Sequence, residues 1–229
     1  MASPVRVTSL PDQLFDRLVA AILDGRYAPG DRLPSQRALA AEFGVNMASL
    51  RAAVDRLAQL RLVEVRHGEA MRVADWRRSG GLEILAYAAG TEPALMVSLF
   101  EARAILLREA ARLAADRASD EQRRELTALA DAFAAATDDD LRQETDFAFM
   151  AGLIDASGNL VFTLIVNSMR ASYLAQKDAY RAMVTATETL APAYRAVAAA
   201  VTSADADAAA AAMDRLTAEH LTLLLRAAQ

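Results

Sequence analysis

The sequence predicts a mainly α-helical chain in two parts: three short helices closed by a β-hairpin, then an all-α antiparallel helical bundle. Three observations predict it. The apolar period is that of a helix up to about residue 61, becomes two over residues 62–73, and returns to the helical value for the rest of the chain. Caps and breakers fall where those periods change. Charge divides at the same place. Residues 1–78 hold twelve Arg against nine Asp and Glu, a net of +3, whereas residues 79–229 hold thirteen Lys and Arg against twenty-one, a net of −8.

The first helix carries Leu10, Leu14, Leu18 and Ile22 on one stripe, with Pro11 in its first turn and Gly25 closing it. A turn at Tyr27-Ala28-Pro29-Gly30 follows. Ser35 caps a second helix that runs to Phe43 and stops at Gly44. Asn46 caps a third, which runs to about Arg61 and buries Leu50, Val54, Leu57 and Leu60. Leu62 to Arg66 and Met71 to Val73 then alternate as strands do, around a turn at His67-Gly68-Glu69-Ala70. Helix, glycine turn, helix and hairpin together give a winged helix-turn-helix. Its expected extent is residues 1–76, with a hinge and short helix over 77–90 and a helical unit over 91–229. Helices are expected at 82–89, 93–117, 120–136, 138–156, 159–183, 187–203 and 205–227, with a break also at Ala191-Pro192.

Composition excludes several classes. There is no cysteine, so no disulfide, thiolate metal site or cysteine nucleophile is available. No run of eighteen apolar residues occurs, and the first 25 residues lack a signal peptide's apolar core, so a cytoplasmic location is expected. Two histidines, no Glu-x-x-His pair on a helix (Glu64 and His67 fall on the strand segment and its turn) and no phosphate-cradling glycine loop argue against an enzyme.

In a helix-turn-helix the second helix enters the major groove, and its first turn reaches the base edges. Here that turn is Asn46, Met47, Ala48 and Ser49, with Arg51 one step on. Arg37 and Arg51 suit phosphate or guanine, and His67 beside Gly68 places a wing tip at the minor groove. Double-stranded operator DNA is the expected partner. The stretch Leu33-Pro34-Ser35-Gln36-Arg37, then Phe43-Gly44-Val45 and Leu50-Arg51, resembles the winged helix of the GntR family of bacterial repressors. The resemblance implies contacts from Arg37, Asn46, Ser49, Arg51, His67 and Gly68. It departs at Met47, where the family usually has a guanine-reading arginine; a methionine there suits a thymine methyl instead.

The second half resembles the sensory domain of the family's FadR branch, through Glu101-Ala102-Arg103, Asp146 to Met150 and Ala156 to Asn159. In most of that branch an Asp-x-x-x-His pair and two later histidines hold a metal, and residues four apart do share one helix face. Here Met150 and Tyr194 stand at two of the histidine positions. The last falls most simply on Leu216, with His220 one turn beyond, so no metal is expected. A closer resemblance, through Arg66 to Trp76, Ser79-Gly80 and Leu82 to Leu85, then Asn167, Tyr173, Tyr180 and Tyr194, is to the branch's fatty-acid-responsive members, whose cavity takes a fatty acyl-CoA. That resemblance implies a homodimer released from DNA by an acyl-CoA or fatty acid held among Arg103, Asp146, Met150, Asn167, Tyr173, Tyr180 and Tyr194. The alternative is a small organic acid, with or without a metal, on the same fold.

Overall fold

The computed structural model describes residues 10–65, 70–88, 93–175 and 177–227. The chain divides into two compact units, Met1–Pro93 and Ala94–Gln229.

In the first unit, α1 (Leu10–Leu23) packs on α3 (Met47–Gln59), with α2 (Gln36–Phe43) beside it. Leu14, Phe15, Leu18 and Ile22 are buried from α1, Leu39 from α2, and Leu50, Val54 and Leu57 from α3. The caps are where the sequence places them. Ser35 Oγ accepts from the Ala38 N–H at 3.2 Å, and Asn46 Oδ1 from the Ser49 N–H at 2.8 Å. Gly44 ends α2 at φ 64°, a left-handed conformation that suits glycine. Leu60, expected in the core, is only half-buried, because α3 closes on it and the chain leaves through a left-handed Arg61 at φ 56°.

The wing pairs β1 (Val63–Glu64) with β2 (Arg72–Val73), Val63 opposite Val73 and Glu64 opposite Arg72. Period-two alternation turns Val63 and Val73 inward and leaves Glu64 and Arg72 exposed. The regular strands are shorter than the alternating residues suggest, and a further extended segment joins them. Gly30 N–H donates to the Val73 carbonyl, Leu33 N–H to that of Met71, and Arg32 bridges Arg72. Backbone pairing so short leaves no period to read in the sequence.

The hinge expected at residues 77–81 is built into this unit instead. Arg61 Nη1 donates to the Ser79 carbonyl at 3.2 Å, and Ser79 Oγ to that of Asp75 at 2.8 Å, tying down α4 (Trp76–Ser79). A 3-10 turn (Leu82–Ile84) and α5 (Leu85–Ala88) replace the single expected helix. Ile84 and Ala88 are buried, and Tyr87 meets Phe15 edge-on with centroids 5.5 Å apart. Gly80 leaves no room for a side chain, since a β-carbon there would lie 2.6 Å from the Trp76 carbonyl oxygen and 2.2 Å from Ile84 Cδ1. Gly80→Ala is therefore expected to destabilise the unit by about 1–3 kcal/mol, read as a lower denaturation midpoint at unchanged slope.

The second unit comprises α6 (Pro93–Arg117), α7 (Asp120–Ala135), α8 (Asp139–Ala156), α9 (Leu160–Ala175), α10 (Lys177–Tyr180), a 3-10 turn (Arg181–Val184), α11 (Thr187–Thr202) and α12 (Ala206–Ala227). α11 packs on α12 and α7, and α7 on α8. Ala110, Ala111, Ala114 and Ala115 give α6 a buried face of small side chains. Arg123 satisfies helix ends that would otherwise strand their carbonyls. It donates to Ala115, Ala118 and Thr202 at 2.9–3.1 Å, and also to Val201.

Two expectations need correction. Residues 159–183 are not α-helical to their end: Leu160–Ala175 and Lys177–Tyr180 are α-helix, and Arg181–Val184 form a 3-10 turn. The apolar period runs on through Tyr173, Tyr180 and Met183, so it does not mark the change to the 3-10 turn. Around that change Gln143 Nε2 donates to the Lys177 carbonyl at 2.7 Å and Asp140 pairs both Lys177 and Arg181. Nor does Ala191-Pro192 break a helix. Pro192 sits inside α11, where it forfeits one N–H bond near the helix start while Leu190, Tyr194 and Val197 are buried around it. Among the described residues no helix is long and apolar enough to cross a membrane.

Candidate functional site

The first unit presents the start of α3 to solvent. Asn46 is exposed and Met47 and Ser49 are half-buried. Capping consumes the Asn46 side-chain oxygen, so its amide NH2 is the group left to meet a base or phosphate acceptor. Arg37 on α2 and Arg51 on α3 are exposed, and neither forms an ion pair with a described residue. Arg56, one turn and a half further on, is committed elsewhere: it pairs with Asp12 at 2.6 Å and lies 3.8 Å over the Phe15 ring. His67 and Gly68 lie outside the described residues.

In the second unit four polar side chains from four helices converge in the core. They are Arg103 of α6, Asp146 of α8, Tyr194 of α11 and His220 of α12. Asp146, Tyr194 and His220 are buried. Tyr194 donates its hydroxyl proton to Asp146 Oδ1 at 2.6 Å. Its oxygen lies 3.1 Å from His220 Nε2, and with its one proton committed it can only accept from that nitrogen. His220 is thereby the Nε2–H tautomer, and its bare Nδ1 accepts from Arg103 Nη1 at 3.3 Å. The ring is closed by Arg103 Nη2 and Asp146 Oδ1 at 3.8 Å. Burial, and then the Arg103 charge, hold the His220 imidazole well below its ordinary range, which keeps it neutral. Burial pushes the Asp146 carboxyl up, and Arg103 and the Tyr194 hydroxyl offset part of that. The Tyr194 ring packs 4.2 Å from Phe133 and edge-on to Phe149 at 5.0 Å.

Beside this cluster runs a ladder of aromatic rings. Phe147 stacks on Tyr173 at 5.4 Å, Tyr173 on Tyr180 at 5.3 Å and 6°, and Tyr180 lies 6.3 Å from Phe100. Arg103 lies 5.8 Å from the Phe100 ring, and Arg170 5.5 Å from the Phe147 ring.

Of the residues expected from sequence, Arg103, Asp146 and Tyr194 meet in the polar ring, and Tyr173 and Tyr180 in the ladder. Met150 is buried in the surrounding core one turn from Asp146. Asn167 is exposed on α9, away from these groups' hydrogen bonds. His220, not Leu216, completes the ring, while Leu216 is an apolar core residue. The sequence offered a signal for this: 216 and 220 are one turn apart on one stripe, and only 220 carries a polar side chain. Phe100, Phe147 and Arg170 were not singled out, because aromatic residues at helical spacing read first as core. Among the described residues no group of three or more His, Cys, Asp or Glu gathers as a metal site would require.

Comparison with known proteins agrees with this division. Residues 10–73 match the family model for bacterial regulatory proteins of the gntR family, and residues 98–219 match the FCD domain. The chain is 32% identical over 226 residues to the HTH-type transcriptional regulator Mce2R of Mycobacterium tuberculosis, covering 96% of this chain and 94% of that one. It is 31% identical over 166 residues to a fatty acid metabolism regulator protein of Escherichia fergusonii, covering 68% and 66%. A solved structure titled for Lar, which controls the agr system of Listeria monocytogenes, shares the fold at a TM-score of 0.65 and 19% identity, covering 97% and 99%. These relatives are regulators of transcription, not enzymes. A winged helix with a free recognition turn, joined to a helical FCD domain with a buried polar ring, makes this chain a DNA-binding transcriptional regulator of the GntR family.

Proposed function

We propose that the chain works as a cytoplasmic homodimer that binds operator DNA and is released from it when the helical unit takes up a fatty acyl-CoA or fatty acid, without a metal. The observation that carries this is the composition of the buried ring. Both nitrogens of His220 are engaged, and a guanidinium stands 3.8 Å from Asp146 Oδ1, where it would repel a metal cation. Met150 and the stacked rings of Phe147, Tyr173, Tyr180 and Phe100 give the surroundings a surface compatible with hydrocarbon. Similarity to regulators named for fatty acid metabolism points the same way.

A second copy suits the outer side of α9. Phe162 and Val166 pack inward, yet Leu160, Val161 and Leu164 are 70%, 61% and 55% exposed. A helix apolar on both sides is ordinarily covered. A single recognition helix reads only one half-site, so a two-fold partner matches the operator as well. Release follows if the acyl ligand favours the conformation whose recognition helices are wrongly spaced.

Native mass spectrometry of freshly purified protein, followed by calorimetry with acyl chains of increasing length, tests the whole reading. The expected results are twice the chain mass, a co-purified acyl species, and affinity rising by up to about 0.8 kcal/mol per methylene. Zinc with a short carboxylate binding where acyl chains do not would replace it with the organic-acid reading.

A further inference from the structure

The neighbourhood of Arg103 has more hydrogen-bond donors than acceptors. The Tyr173 hydroxyl is buried and has no partner. Among the described residues the Tyr180 hydroxyl, on a buried side chain, reaches only the Met96 sulfur at 3.9 Å, and a thioether is a weak acceptor. Arg103 itself is poorly paired. A satisfied arginine–carboxylate pair is bidentate at about 2.7–2.9 Å, whereas Asp146 Oδ1 stands off at 3.8 Å and already accepts from Tyr194 at 2.6 Å. Only Nη1 of the guanidinium has a hydrogen-bonded partner in the ring, His220 Nδ1.

These donors share one locality. Tyr173 and Tyr180 stack on each other, Tyr180 adjoins Phe100, and Arg103 lies beside that ring. The Arg103 charge also acts on both phenols, where it opposes the rise that burial imposes. An unmade hydrogen bond on a buried group is costly, and the half-paired Arg103 charge, at 18% exposure, adds to that cost. Such a locality lacks an oxyanion.

We propose that Arg103, with the Tyr173 and Tyr180 hydroxyls, forms a carboxylate-binding site, so that the effector is the long-chain fatty acid itself and not its coenzyme A thioester. This rests on the acyl reading above and sharpens it. A thioester carbonyl is neutral and accepts weakly, which would leave the guanidinium charge uncompensated. A carboxylate brings two strong acceptor oxygens and one negative charge. Its hydrocarbon would lie along Phe100, Phe147 and the tyrosine faces.

The test compares full-length protein binding hexadecanoic acid, its methyl ester, its coenzyme A thioester and hexanoic acid by calorimetry. The acid is expected to bind on the order of 10- to 100-fold tighter than the ester. Arg103→Gln should collapse that ratio towards one. Tyr173→Phe removes a hydroxyl that bonds nothing among the described residues, so the variant's melting temperature should not fall. It should nevertheless weaken the acid by about 3- to 10-fold and leave the ester unchanged. A purely structural tyrosine would not separate acid from ester. Ester or thioester binding as tightly as the acid overturns the carboxylate site while the acyl reading stands. Hexanoic acid matching hexadecanoic acid keeps the carboxylate site but sinks the acyl reading. No binding by any sixteen-carbon ligand overturns both.

Discussion

Replacing Arg37 and Arg51 together with alanine is expected to weaken operator binding by about 2–6 kcal/mol, roughly 30-fold to 25,000-fold. Both side chains are exposed, on the helix before the recognition helix and on the recognition helix itself. The other arginine of α3, Arg56, is tied to Asp12 and Phe15, which leaves Arg37 and Arg51 as the ones expected to carry the contact. The net charge of −8 on residues 79–229 repels the duplex, which leaves the first unit to supply the attraction. A site obtained by selection from randomised DNA, titrated at several salt concentrations, reads both roles. A lost base contact lowers affinity for that sequence alone, and a lost phosphate contact also flattens the salt slope by about one. Unchanged affinity and slope in the double variant would remove α2 and α3 from the interface.

Acid should destabilise the helical unit through His220. In an unfolded chain an imidazole takes a proton near 6.5, whereas burial and Arg103 keep the folded His220 neutral well below that. The unfolded state then binds the extra proton. Stability contributed by neutral His220 is present above 6.5 and is lost as pH falls below it, at about 1.4 kcal/mol per pH unit. Asp146 runs the other way. Burial raises its folded carboxyl above the unfolded value of 3.8, so protonation favours the fold within that window and offsets part of the loss at lower pH. Tyr194 stays protonated, since burial raises its hydroxyl well above the ordinary value. Denaturant titrations of wild type and His220→Gln should therefore converge by about 2 kcal/mol between pH 6.5 and about 5. Parallel profiles would mean that the imidazole titrates in the fold as it does in water.

The residues that govern local structure were easy to read, and those governed by tertiary contact were not. Ser35, Gly44 and Asn46 fixed the ends of α2 and α3 because caps act within four residues. The change to a 3-10 turn after Tyr180 lies beside a bond from Gln143 to Lys177, 34 positions apart, which exists only once α8 is alongside. The same distinction holds at the site. Asp146, Tyr194 and Arg103 could be named from motifs, but that His220 replaces Leu216 in the ring depends on how α12 is rotated against α11. Asn167 is exposed on α9, and a matching position in the sequence does not specify which side of that helix faces the core.

The packing of residues 82–88 has a mechanical consequence. With Ile84 and Ala88 buried, Tyr87 set against Phe15, and Gly80 too crowded for a β-carbon, this segment has no compliant joint with α1. Since α1 also packs on α3, residues 82–88, α1 and α3 belong to one packed body, so a displacement of the chain at Ala88 would carry the recognition helix with it.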